Sequence, residues 1–308
     1  MHIARKALET EPGDPSISYN LACAEALAGI SRNALLSGTD RLYRIFWFGG
    51  MSGVGKTTAA LTLAHRYDLC LYTVDARTYE HAAKLPADPR TLDEIWVHTT
   101  SETLADWFDA GSRERFRLIL GDLASIEDDA PVIVEGPQLL PDLVAPLLPA
   151  PDRAVSVVAR PELQQRLVKA RGHGVSSRTS DPERALANRL GRDEVLVERL
   201  RASAAEHGLP LVEVAEVEET LPAVESRLLP LLEDWRGHDH GDVSARRREE
   251  NDVRLRQWRA HVDAAGIEEA GKLELACECD RPGCESTVLI GLFEAEAARG
   301  RAEHLISH

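Results

Sequence analysis

Short apolar runs and longer amphipathic segments follow one another through the central part of the chain. Segments such as "SRERFRLILGDLA" and "PELQQRLVKA" carry apolar residues at helical spacing. Apolar strands that alternate with helices are typical of a mainly parallel sheet with helices on both faces, so we predict a three-layer α/β fold. The five runs that predict its buried strands are "YRIFWF", "LCLYTV", "PVIVE", "AVSVVA" and "PLVEV".

Helical segments also flank this core. Residues 1–40 predict an N-terminal helical extension, because apolar residues recur at helical spacing after the turn "EPGDP". The stretch is similar to one unit of a tetratricopeptide repeat, but a single unit cannot bury its own apolar face, which favours a helix docked on the main domain. At the other end, the polar stretch "RGHDHGDVSA" is typical of a linker. The predicted organisation is an extension over 1–40, a main domain over 41–236 and a C-terminal region over 237–308.

Composition and charge narrow the class of protein. The chain has 308 residues, of which 44% are hydrophobic and 28% charged, as in an ordinary soluble globular protein. It has no apolar run of about 18 residues, and its N-terminal stretch is acidic where a secretory signal is apolar, so we expect a cytoplasmic protein that makes no membrane contact. The net charge of −15 disfavours nucleic acid as a partner, because the chain repels a phosphate backbone.

A glycine-rich stretch, "GGMSGVGKTT", lies between the first predicted strand and the helix after it. Residues 50–57 fit the spacing G-x-x-x-x-G-K-[ST] of the Walker A motif. Glycines let consecutive N–H groups point at phosphate oxygens, while the lysine neutralises the terminal phosphates and the Thr57 hydroxyl ligates Mg²⁺. An ordinary glycine turn is the alternative, but the strand before the motif and the helix after it favour nucleotide binding. The predicted ATP-binding residues are Gly50, Ser52, Gly53, Val54, Gly55, Lys56, Thr57 and Thr58.

With Gly53 the loop becomes G-x-x-G-x-G-K-T, and in this form it resembles the loop of small-molecule and nucleotide kinases. These families include the adenylate, shikimate and gluconate kinases and the chloramphenicol phosphotransferase group. The resemblance covers residues 41–235; it is specific only at the loop and lies elsewhere in the order of elements. It implies a P-loop domain that transfers a phosphoryl group from Mg²⁺·ATP to a small hydroxyl-bearing acceptor. The identity of the acceptor is not predicted, because "VEGPQLLP" lacks the arginine of the nucleoside-monophosphate pattern D-G-[FY]-P-R.

Two acidic residues follow predicted strands at positions that this resemblance marks as functional. Asp75, with Arg77 two residues on, ends the second strand where these kinases have an acid near the acceptor hydroxyl. It is therefore a candidate for the general base or for holding Mg²⁺ through water, with capping of the next helix as the alternative. Glu135, followed by Gly136, matches the acid that meets the water shell of the metal, and the alternative is an inert acid at a strand end.

Seven arginines lie in the segment after the fourth strand, residues 159–193. In the kinases that the chain resembles, this segment is a mobile lid whose arginines reach the transferring phosphoryl group. A loose phosphoryl transition state spreads charge over its oxygens, and guanidinium groups stabilise that charge. Most arginines on a helix are simply solvated, so we expect only some to act, and the candidates are Arg166 and Arg178.

Near the end of the chain, three cysteines form the pattern C-x-C-x₄-C: Cys277, Cys279 and Cys284. Three thiolates in so tight a turn suit a tetrahedral Zn²⁺, and three reduced thiols in a hairpin are the alternative. His304 or His308 is the fourth ligand, and His308 is favoured because a strand-like "HLIS" would carry the chain end back. The stretch is similar to a cysteine-rich module at the ends of actinobacterial proteins, with Asp280 where glycine is usual. So short a module has almost no core, so the metal would supply most of its folding energy.

Before these cysteines, the helix "RRREENDVRLRQWRAH" carries six arginines, which raises the possibility of nucleic-acid binding. Its acidic residues Glu249, Glu250 and Asp252 lie at salt-bridging offsets from the arginines. This pattern favours a solvated or interdomain helix instead.

The function predicted from these features is Mg²⁺·ATP-dependent phosphoryl transfer to a small hydroxyl-bearing acceptor. A nucleotide-binding regulatory ATPase whose C-terminal module docks a protein partner is the alternative, and a kinase acting on a nucleic-acid end is disfavoured by the acidic charge. ATP turnover that rises sharply with one acceptor distinguishes a kinase from a switch. The candidate catalytic residues are Lys56, Asp75, Glu135, Arg166 and Arg178.

Overall fold

The computed structural model describes residues 44–170, 178–233, 235, 241–267 and 271–307. The predicted N-terminal extension over 1–40 lies outside these residues, as does His308.

Five parallel strands form the central sheet. They are β1 (Ile45–Gly50), β2 (Cys70–Thr73), β3 (Val132–Glu135), β4 (Ala154–Ala159) and β5 (Leu211–Val214). Hydrogen bonds join them in the order β2-β3-β1-β4-β5, which confirms the predicted α/β fold with a parallel sheet. Phe48 of β1 and Thr73 of β2 are both in register with Glu135 of β3, so the ends of these three strands meet at one edge.

Helices cover both faces of this sheet, as the alternation of apolar residues in β1 requires. The helices of the main domain are α1 (Lys56–Arg66), α2 (Thr78–Ala82), α3 (Leu92–Trp96), α4 (Ser101–Ala124), α5 (Pro141–Val144), α6 (Pro161–Ala170), α7 (Pro182–Glu206) and α8 (Thr220–Glu233). Phe46 and Phe48 share a core cluster with Leu63 of α1. Trp47 faces the other side and packs with Phe116 of α4, at 5.8 Å between ring centroids.

Helix α4 begins well before its predicted start at Ser112. The Thr100 side chain accepts a hydrogen bond from the N–H of Thr103 and so caps the helix at Ser101. Leu104 and Ala105 in the added turns are buried. The capping threonine marks the start of the helix, which the spacing of apolar residues does not indicate.

The C-terminal region has a small core of its own. It comprises α9 (Val243–Ala265), β6 (Lys272–Ala276), β7 (Thr287–Gly291) and α10 (Leu292–Gly300), and β6 and β7 pair antiparallel. Leu275 and Ile290 of the hairpin share a buried cluster with Leu255 of α9 and Leu305 of the tail. The expectation that this region has almost no core is therefore wrong, because α9 supplies one face of it. "HLIS" is not a strand either, since Leu305 anchors it in this cluster as irregular chain.

Helix α9 of the C-terminal region packs against the end of α1. The Arg247 guanidinium, 1% exposed, donates to Asp68 Oδ1 at 3.0 Å and to the His65 carbonyl at 2.9 Å. Glu250 pairs with His65 Nε2 at 3.0 Å. Because these α9 side chains are engaged by the main domain, this part of the helix does not offer a free basic face to nucleic acid.

None of the helices within the described ranges has the length and apolar character needed to cross a membrane.

Candidate functional site

The glycine-rich loop between β1 and α1 has a backbone that side chains would not permit. Gly50, Gly53 and Gly55 have φ angles of +115°, +93° and +84°, in the region that favours glycine. A Cβ at Gly50 would lie 2.0 Å from the Val157 carbonyl oxygen. The glycines are therefore required by the path of the loop itself, which turns directly into the N-terminus of α1 at Lys56.

Lys56, Thr57 and Glu135 meet where this loop faces the end of β3. The Lys56 ammonium donates to the Met51 carbonyl oxygen at 2.7 Å and lies 3.7 Å from Glu135 Oε1. The Thr57 hydroxyl donates to Glu135 Oε2 at 3.1 Å. Lys56 is 4% exposed and Glu135 1% exposed, whereas Thr57 is exposed. The three predicted residues thus form one cluster with a charged interior and an exposed hydroxyl at its mouth.

Burial controls the charge of Glu135. It raises the pKa of this carboxyl above its ordinary value, while the positive charge of Lys56 acts in the opposite direction. The negative charge of Asp75 raises it further. Burial therefore favours the neutral form of Glu135, and a cation bound near Thr57 would favour the ionised form.

The other loop residues predicted to bind nucleotide divide into exposed and buried ones. Ser52 and Thr58 are exposed, while Val54 is fully buried. The Val54 carbonyl accepts a hydrogen bond from the hydroxyl of Thr220, which begins α8 and is 1% exposed. Thr220 therefore supports the loop from far along the chain, and nothing in its local sequence marks it for this role.

Asp75 begins a short 3₁₀ turn (Asp75–Arg77) directly after β2 and is exposed. Its carboxylate caps neither this turn nor α2, so the capping alternative is wrong. The Val74 N–H donates to the Glu135 carbonyl at 2.8 Å, which holds Asp75 at the same sheet edge as Glu135.

The two candidate arginines of the lid segment are both exposed. Arg166 pairs with Glu216 at 2.7 Å, just after the end of β5. Glu216 precedes Val217, whose side chain lies against Gly55 of the glycine-rich loop. The lid role of Arg166 and Arg178 stays a prediction.

A cavity of about 250 Å³ lies beside Gly50 and Met51, between α4 and α7. Phe108 and Leu200 contribute apolar walls. Its two arginines are paired with aspartates: Arg113 with Asp142 at 2.6 Å, and Arg199 with Asp109 at 2.7 Å. The cavity is large enough for a small molecule, and both of its arginines are already paired with acids of the protein.

The three C-terminal cysteines form a second candidate site. Their sulfur atoms all lie within 4.8 Å of one another, so Cys277, Cys279 and Cys284 could hold a metal ion, and thiolates at this spacing are compatible with zinc. Burial opposes ionisation of Cys277, but hydrogen bonds from the N–H groups of Ser307 and Cys279 outweigh it and lower the pKa of this thiol. Burial raises the pKa of Cys279 to about 11. A bound cation would stabilise all three thiolates.

Of the two histidines considered as fourth ligand, His304 has another partner. Its Nδ1 lies 3.2 Å from the Ser244 hydroxyl, and its side chain is 45% exposed. The N–H of Ser307 lies 3.5 Å from Cys277 Sγ, so the tail passes this cysteine immediately before its last residue. His308, which lies outside the described residues, stays the predicted fourth ligand.

A buried polar network around Glu278 shapes the cysteine turn, and the sequence pattern did not reveal it. Glu278, between two of the cysteines, is 1% exposed and accepts hydrogen bonds from Asn251 at 2.8 Å and from the N–H of Leu305 at 3.0 Å. Its carboxylate also pairs with Arg299. Burial opposes ionisation of Glu278, but the bonds from Arg299 and Asn251 outweigh it and lower its pKa.

The cysteine turn also contacts the end of α1. The N–H of Gly283 lies 3.0 Å from both carboxylate oxygens of Asp68, which is 2% exposed. Glu285 pairs with Arg66, the last residue of α1, at 2.9 Å. One helix therefore runs from the glycine-rich loop at its N-terminus to the cysteine turn at its C-terminus.

We expect freshly purified, reduced protein to contain about one zinc ion per chain, because three thiolates and one further ligand complete a tetrahedral site. Cys279→Ser should remove most of this zinc, whereas Cys70→Ala, at a buried cysteine outside the cluster, should keep it. Elemental analysis gives the zinc content. Chelation should disorder the cysteine turn while the parallel sheet, which has its own core, persists; zinc-free wild-type protein would rule out the site.

No protein-family model matches this chain, and no curated protein matches it either.

Proposed function

We propose that this protein transfers a phosphoryl group from Mg²⁺·ATP to a small hydroxyl-bearing acceptor, in a P-loop domain of the kinase-like kind. The observation that carries the proposal is the cluster of Lys56, Thr57 and Glu135 on a loop of positive-φ glycines at the start of α1. This is the arrangement expected of a phosphate site, in which backbone N–H groups, a helix N-terminus and a lysine all favour negative charge.

The residues present fit Mg²⁺·ATP. A Cβ at Gly55 would lie 2.8 Å from Val217 Cγ1, so only glycine lets the loop pass this close to the turn that precedes α8. Magnesium nucleotide supplies the phosphoryl group and the cation that neutralises it. Lys56 would hold the terminal phosphates, and the exposed Thr57 hydroxyl would ligate the cation.

Glu135 and Asp75 have different roles in this proposal. Glu135, behind Thr57, would order the water shell of the cation. Asp75 is exposed at the same sheet edge and makes no hydrogen bond or ion pair through its side chain to another described residue. Its carboxylate is therefore available to accept the hydroxyl proton of an acceptor, which raises the nucleophilicity of that oxygen.

The test is a metabolite screen for acceptor-stimulated release of ADP. We expect one class of hydroxyl compound to raise ATP turnover well above the basal rate. Arg201→Gln, which alters a pair on β5 at the opposite edge of the sheet, is the matched control and should keep the stimulation.

A regulatory ATPase is the second candidate, favoured by the contact between the cysteine turn and the end of α1. Such a link would couple nucleotide binding to the C-terminal region. Tight ATP binding without acceptor-stimulated turnover in the same screen would support this function over phosphoryl transfer.

Replacing Glu135 with glutamine should reduce the pH dependence of the stability of the nucleotide-free protein and weaken the Mg²⁺ dependence of its activity. A carboxyl whose pKa is raised by folding contributes stability below its unfolded pKa and loses it as the pH rises through the folded value. Glutamine cannot ionise, so Glu135→Gln should remove this pH dependence: the Tm of the variant relative to wild type should be lower near pH 4 than at pH 7, by about 2–4 °C. Calorimetry at the two pH values measures this difference.

The control for this variant is Glu183→Gln, at an exposed acid on α7. An equal change of Tm with pH in Glu135→Gln and wild type, with an unchanged Mg²⁺ requirement, would contradict both the burial effect and the metal role.

A further inference from the structure

Two arginines, Arg115 and Arg77, lie beside Asp75 in a region that we call the corner. The Arg115 side chain is held there in a fixed position. Arg115 of α4 donates through Nε to His81 Nδ1 at 3.0 Å and through Nη2 to the Val74 carbonyl at 2.6 Å and the Thr78 hydroxyl at 3.0 Å. Thr78 in turn donates to the Asp75 carbonyl at 2.9 Å. These bonds fix the guanidinium to residues before and after Asp75, Val74 and Thr78. They leave its Nη1 unused.

The partner that orients Arg115 is a neutral imidazole. A guanidinium can only donate, so His81 Nδ1 must be the accepting nitrogen, and its Nε2–H then points to Asp122 Oδ2 at 2.9 Å. His81 thus lies between the arginine and Asp122. Among the described residues, no carboxylate forms an ion pair with Arg115 within 4.0 Å, so its charge is not offset by direct contact.

Arg77 brings a second guanidinium to the same corner. It lies over the Tyr72 ring, at 4.8 Å from the ring centroid, and pairs with Glu80 at 3.2 Å. Its buried Nε makes no hydrogen bond to a described residue and lies 4.0 Å from Asp122 Oδ2, at the limit of an ion pair. Arg77 is thus paired with two acids of the protein, so the charge that the corner offers to a ligand is mainly that of Arg115.

We propose that Arg115, with Arg77, binds an anionic group of the acceptor, a carboxylate or a phosphate, while the acceptor hydroxyl faces Asp75. This inference rests on the proposed function, because it takes the bound anion to be part of the acceptor molecule. Planar guanidinium groups recognise both oxyanions through paired hydrogen bonds. Val74, the residue before Asp75, accepts a hydrogen bond from Arg115 through its carbonyl and donates one to the Glu135 carbonyl through its N–H, so Asp75 lies next to a residue that contacts both.

The anion site is tested by titrating inorganic phosphate into the Lys56→Ala protein, in which phosphate binding at the glycine-rich loop is weakened. Calorimetry should still detect binding. Adding Arg115→Gln should weaken this binding about 10- to 100-fold, on the scale of a lost charge-assisted hydrogen bond. Adding Arg77→Gln should weaken it less, and adding Arg201→Gln should have no effect.

Phosphate binding that Arg115→Gln and Arg77→Gln both leave unchanged, in folded protein, overturns the inference. If Arg115→Gln does not fold, the Arg77→Gln titration decides, and an unchanged affinity again overturns it.

The acceptor role is tested with matched pairs of hydroxyl compounds that differ only in carrying a carboxylate or its neutral amide. We expect the anionic member alone to stimulate ADP release, with a KM that Arg115→Gln raises at least about 10-fold. Equal stimulation by both members overturns the acceptor role. If no compound stimulates turnover, the proposed function fails and the acceptor role falls with it, while the phosphate titration still reports on the anion site.

Discussion

Replacing Lys56 with alanine is expected to lower ATP affinity or turnover by at least about 10²-fold, the scale of losing one contact to developing charge. The ammonium lies in the concave side of the loop and is held there by the Met51 carbonyl and Glu135. Its removal leaves the terminal phosphates without their fixed positive charge. Calorimetric titration with ATP and a coupled ADP assay measure the two losses.

The same substitution leaves a buried acid without its cation, so stability needs a separate control. The double variant Lys56→Ala/Glu135→Gln removes both charges, so no unpaired charge is buried and the Tm should recover. ATP binding should not recover, because the lysine is still absent. Lys84→Ala, at an exposed lysine paired with Glu80, should change neither property. ATP binding and turnover that stay at wild-type level in folded Lys56→Ala would be incompatible with a phosphate site at this loop.

Asp75→Asn is expected to cut acceptor phosphorylation by roughly 10²–10⁴-fold while nucleotide binding persists. The substitution keeps the shape of the side chain but removes its ability to accept a proton. Since Asp75 is exposed and caps no helix, its loss should cost little stability. Single-turnover measurements with saturating acceptor isolate this step from binding.

Glu80→Gln, at an exposed acid in α2, is the control for a change of charge near Asp75. A large fall in Tm for Asp75→Asn with normal phosphoryl transfer would instead assign Asp75 a structural role.

Local sequence was sufficient for the five strands of the central sheet. Each could be predicted because the strands of a parallel sheet covered on both faces are mainly apolar, and the glycine-rich loop because several of its residues need positive φ angles. The cysteine cluster was equally local, since its three ligands lie within eight residues. The misplaced start of α4 shows the limit: a capping threonine and not the apolar pattern set it.

The partners of these features were decided by tertiary structure. Thr220 reaches the glycine-rich loop, His81 and Asp122 orient Arg115, and Asn251 and Arg299 satisfy Glu278 between the cysteines. In each case the contacting residues are distant in the chain and meet only after strand order and helix packing are set. An apolar period of two or 3.6 residues specifies which face of an element is buried, but not which element will lie against it. The sequence by itself therefore determined the candidate chemistry, and the packing of the sheet and of α9 decided which side chains hold that chemistry in place.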